Sequence, residues 1–63
     1  MEAQEIVQKL KASSYKFTLA GKIRDEIKKL NDDESDQIIL HLRREIANPE
    51  NVDVLTALRE IIR

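Results

Sequence analysis

His41 is the single imidazole of the chain, and Ser13, Ser14 and Ser35 are its serine hydroxyls. Imidazole catalysis needs a nucleophile or an orienting carboxylate converging on the ring. On a helix the local neighbours of His41 are Gln37 at i−4 and Glu45 at i+4, which are ordinary surface pairings. No serine is set in a Gly-rich elbow or beside an oxyanion loop. One glycine in 63 residues also leaves no phosphate-cradling loop. No catalytic residue is assigned, no cofactor is expected, and the chain reads as non-enzymatic.

Asp32, Glu34 and Asp36 have the i, i+2, i+4 spacing with which a calcium loop begins. The rest of such a loop is missing, because its sixth position is Gln37 rather than Gly and its twelfth is Arg43 rather than a bidentate Glu. Acids ahead of an apolar-periodic run are better explained as the start of a helix, where they complement the macrodipole. The absence of cysteine removes thiolate metal sites and disulfides together. No metal site is expected.

Two binding chemistries remain. Lys11, Lys16, Lys22, Arg24 and Lys28 lie within residues 9–29, with Tyr15 and Phe17 among them. Bases interleaved with aromatics can grip phosphate and stack on nucleobases, so a nucleic-acid-binding regulator is one reading. Against it stand a sequence pI of about 5.8 and the acids Asp25 and Glu26 in the same stretch. The other reading is a docking face for protein. With Ile38, Leu42 and Ile46 turned inward on a helix, Leu40 and Ala47 lie opposite, and Arg43 and Arg44 flank Leu40 at i+3 and i+4. An apolar anchor beside arginine suits a protein interface. The plainer explanations are a fourth helix packed on Leu40, or a lone exposed leucine. The protein partner is the preferred expectation, with an adaptor or inhibitor of a larger protein as the function.

The segment Leu30-Asn31-Asp32-Asp33-Glu34-Ser35-Asp36-Gln37-Ile38 resembles the interhelical turn of the Rop family, small plasmid-encoded helical hairpins. Members of that family dimerise into four-helix bundles and bind paired RNA loops. The resemblance covers nine of 63 residues, and Pro49 departs from it by breaking what would be one continuous second helix. No RNA-contacting residue is carried over.

Positioning these groups falls to short helices. One Gly and one Pro in 63 residues is too little turn punctuation for a β-sandwich or barrel. Ala3, Ile6, Val7 and Leu10 predict a helix over residues 2–12, with Glu5 and Lys9 paired at i,i+4. Ser13 and Ser14 interrupt it. Alternation of Tyr15, Phe17 and Leu19 with polar residues allows a short extended piece, and one helix running through the serines is the rival arrangement. Leu19, Ala20, Ile23, Ile27 and Leu30 predict a second helix, capped by Thr18 or Ser14, with Gly21 as a place of close helix approach. Ile38, Ile39, Leu42 and Ile46 predict a third over about 34–47, stopped by Pro49. Val54, Leu55, Leu58, Ile61 and Ile62 predict a last helix over about 50–62, with Asn48 as its cap. Breaks are expected near 13–17, 31–33 and 48–50.

The expected fold is therefore all-α, a single domain over residues 1–63, a small bundle of three to four short helices with dimerisation as the device that completes it. A chain this short buries only about 60% of its unfolded surface, which leaves the core marginal without a supplement. The wide apolar stripe of the last helix is the natural seam, so Leu55, Leu58, Ile61 and Ile62 are the expected self-association residues of a homodimer. Residues 1–30 hold seven bases and four acids, and residues 31–63 four bases and eight acids. Two halves of opposite sign attract each other, within one chain or between two. No apolar run exceeds Ile38-Ile39-Leu40, so no membrane span is expected, and the acidic start is not a secretory signal. The cytoplasm is the expected location.

Overall fold

Ala3, Ile6, Val7 and Leu10 recur every three or four residues. In the computed structural model, which describes residues 2–63, they are the buried face of α1, Ala3–Ala12. The helix stops where the Ser13 backbone turns extended (φ −94°, ψ 141°). Ser13 Oγ accepts the Tyr15 amide hydrogen at 3.0 Å, and the Lys16 ammonium donates to the Ser13 carbonyl at 2.7 Å. Here the serine hydroxyl offers the backbone an alternative to helix. α2 then runs Lys16–Lys28, from Tyr15 at the N-cap position without a side-chain cap. Neither Thr18 nor Ser14 is the cap, no strand forms at Tyr15–Leu19, and one helix through the serines does not form.

α3 spans Asp32–Ile46 and starts two residues earlier than the apolar periodicity suggests. Asn31 is its cap, with Oδ1 accepting from the Glu34 amide at 2.8 Å, and Asp32, Asp33 and Glu34 fill the first turn. That is the arrangement of acids the helix dipole favours. Pro49 does end the helix, but the segment beyond it departs from expectation. Pro49–Val54 is a 3-10 turn, and only Leu55–Ile62 is α-helical, as α4. Asn48 accepts from the Glu50 amide at 3.0 Å, and the backbone at Asn51 leaves helical geometry (φ −99°, ψ 17°).

α2 packs chiefly on α4 and α1 chiefly on α3, while α3 also meets α4. The two pairs enclose one core in which Leu10, Ala20, Leu42 and Leu58 are fully buried. Ala3, Ile6, Val7, Ile23, Ile27, Ile38, Val54, Ala57 and Ile61 complete it, with Leu19, Leu30, Ile39, Ile46 and Ile62 at its edges. Gly21 is not a contact between helices. A Cβ placed there would meet nothing within 4 Å. The molecule is an all-α domain of four α-helices with no strand among the described residues, 29 × 22 × 18 Å. None of its helices is long and apolar enough to cross a membrane.

Candidate functional site

Turning Ile38 and Leu42 into the core directs the opposite side of α3 to solvent. Leu40 lies in the middle of that side and is 47% exposed. Arg43, Arg44 and Ala47 are exposed with it, so the four expected docking residues share one accessible face. At about 100° per residue, Asp33, Asp36 and Gln37 belong to the same third of the helix circumference. They too are exposed. None of these acids or arginines forms an ion pair among the described residues.

One flank of this face is a groove of about 470 Å³ between the start of α1 and α3. Ala3 and Ile38 contribute its apolar lining, and Gln37, His41, Arg44 and Glu45 its polar edge. His41 is an exposed member of this rim. No group of three or more His, Cys, Asp or Glu residues able to hold a metal is present among the described residues. Asp32, Glu34 and Asp36 are exposed on the first turns of α3, where Asp32 and Asp36 share a face and Glu34 points to the opposite side.

The basic residues of the first half are dispersed. Lys11 donates to the Glu50 carbonyl at 3.1 Å, and Lys16 is turned back to Ser13. Arg24 approaches Glu60 at 3.4 Å, and the same carboxylate meets Arg63 at 3.4 Å. The Arg24 Nε is buried without a partner among the described residues. Lys22 and Lys28 are exposed, but six residues apart on α2 they point about 120° from each other. Tyr15 is 77% and Phe17 60% exposed. The Arg24–Glu60 pair and the Lys11–Glu50 bond do tie the basic half of the chain to the acidic half.

Two of the four expected self-association residues lie inside the core, where Leu58 is fully buried and Ile61 is 2% exposed. The packing of α2 against α4 covers them within one chain. Only Leu55 and Ile62 keep partial exposure.

Asn51 is a residue that periodicity overlooks, since a polar side chain is read as outward. It is 3% exposed, and its Nδ2 donates to the Glu45 carbonyl at 2.9 Å and to Glu45 Oε2 at 2.7 Å. The side chain thereby fixes the end of α3, next to the groove rim. No protein-family model, curated protein or solved structure matches the chain.

Proposed function

We propose that the protein is a small non-enzymatic protein–protein interaction module of the cytoplasm, an adaptor or inhibitor of a larger partner. The exposed Leu40, bracketed by Arg43 and Arg44 at the centre of α3, carries the reading. It supplies the apolar anchor with adjacent arginine that interfaces favour, and the neighbouring groove offers a seat for a partner side chain. Affinity capture with the full chain tests it. A stoichiometric partner recovered by the native protein is expected to be lost with Leu40→Asp, while the helical circular-dichroism signal is unchanged. Capture that is indifferent to Leu40→Asp would remove the reading.

The exposure of Tyr15 and Phe17 favours a second reading, a nucleic-acid-binding regulator. The dispersal of the five bases, two of them turned back onto backbone carbonyls, counts against it. A mobility shift that falls log-linearly with salt and disappears in Phe17→Ala would put it first.

A further inference from the structure

The geometry points to a second copy of this chain as an occupant of the outward face of α3, paired antiparallel about a two-fold axis at Leu40. The inference rests on the docking role proposed for that face and names one partner for it. Its basis is the order of charge along the helix. Asp36 stands four residues before Leu40 and Arg43 three residues after it, both exposed and without an ion pair among the described residues. Gln37 stands three before and Arg44 four after.

Seven residues apart, Asp36 and Arg43 lie on one side of Leu40, and Gln37 and Arg44 lie on the other. In an antiparallel pair with the axis at Leu40, each side faces the same side of the other copy. Asp36 then meets Arg43, Gln37 meets Arg44, and the two leucines meet on the axis. Each of the first two pairings occurs twice, as a two-fold axis requires. A parallel pair would instead set Arg43 against Arg44, which repel. The face is therefore self-complementary in one orientation only. It is a different seam from α4, whose Leu58 and Ile61 are already covered. A single pair of 15-residue helices buries less than the roughly 1,200 Å² at which stable interfaces begin, so the dimer is weak and forms towards millimolar concentration. It also occupies the anchor that another partner would use, so self-pairing and capture of that partner compete.

Sedimentation equilibrium of the full chain, over a hundredfold concentration range ending near millimolar, tests the pairing. The native protein is expected to move from 7.3 kDa towards twice that mass, less so at high salt. Asp36→Arg and Arg43→Asp should each remain monomeric. Mixed one to one, they should associate, because both charged pairs in the mixed dimer are again Arg against Asp. Asp36→Asn and Arg43→Gln, which remove charge without reversing it, should each weaken association several-fold. A single 7.3 kDa species throughout overturns the inference, as does association that these substitutions leave unchanged or a mixture that stays monomeric. The two readings fail separately. A monomeric chain whose partner capture still depends on Leu40 loses only the self-pairing. Charge-swapped dimers with capture indifferent to Leu40→Asp remove only the other partner.

Discussion

The carbonyl of Glu45 accepts two hydrogen bonds at the end of α3, from the Asn48 amide at 3.2 Å and from Asn51 Nδ2 at 2.9 Å. Helix ends leave such carbonyls without partners, and a glycine in left-handed geometry commonly closes them. No residue among those described has positive φ, and a buried asparagine takes that place instead. The same amide holds the Glu45 carboxylate at 2.7 Å, so one side chain satisfies a backbone acceptor and an ionised one. Asn51→Ala should cost about 1–3 kcal/mol, since it strands a partly buried carboxylate as well as removing a bond. Urea unfolding measures it, and a loss below about 0.5 kcal/mol, the range of ordinary surface substitutions, would show that water replaces the amide freely. Nothing in the sequence distinguishes Asn51 from a solvent-facing polar residue. Its role depends on the 3-10 turn after Pro49, which a helical repeat does not reveal.

At the scale of elements, the apolar stripes and the breaks between them were legible and the caps were not. Every residue of the first stripe, Ala3, Ile6, Val7 and Leu10, is buried. The Ile38 and Leu42 face that leaves Leu40 outside also followed from spacing alone. Ala57 was missed as a core residue, although it continues the Val54 stripe at i+3. Helix starts depended on whether a side chain captured a free amide and which one: Asn31 rather than the acids after it at α3, and none at α2. Gly21 shows the same limit from the other direction. Glycine inside a helix invites the idea of a neighbour pressed against it, yet open space lies where its Cβ would be. Its backbone is that of an ordinary right-handed helix, so Gly21→Ala should stabilise the protein by about 0.5–1 kcal/mol through lower unfolded-state entropy and better helix propensity. For a domain of this size that corresponds to a rise in melting temperature of several degrees. An unchanged or lower melting temperature would mean that the glycine serves a contact the isolated chain does not make.

For the molecule as a whole, the question is whether 63 residues enclose their own core. α4 decides it. Its stripe looks too wide for one short chain to cover, which is why the sequence suggests a partner copy there. Packing against α2 covers Leu58 and Ile61 instead, and leaves Leu55 and Ile62 at the edge. The consequences of charge at these positions therefore divide by burial. Leu58→Asp puts an unpaired carboxylate where no solvent reaches, at a cost of several kcal/mol. That is comparable to the whole stability of a domain this small, about 0.05–0.15 kcal/mol per residue. The variant should be unfolded at every concentration, with the helical circular-dichroism signal lost. Leu55→Asp keeps part of its surface in water and should remain folded with a lowered melting temperature. If α4 were instead a seam between copies, Leu58→Asp would yield a folded monomer whose helical signal survives dilution. A folded Leu58→Asp chain would show that the core does not depend on α4 and would return that helix to the surface.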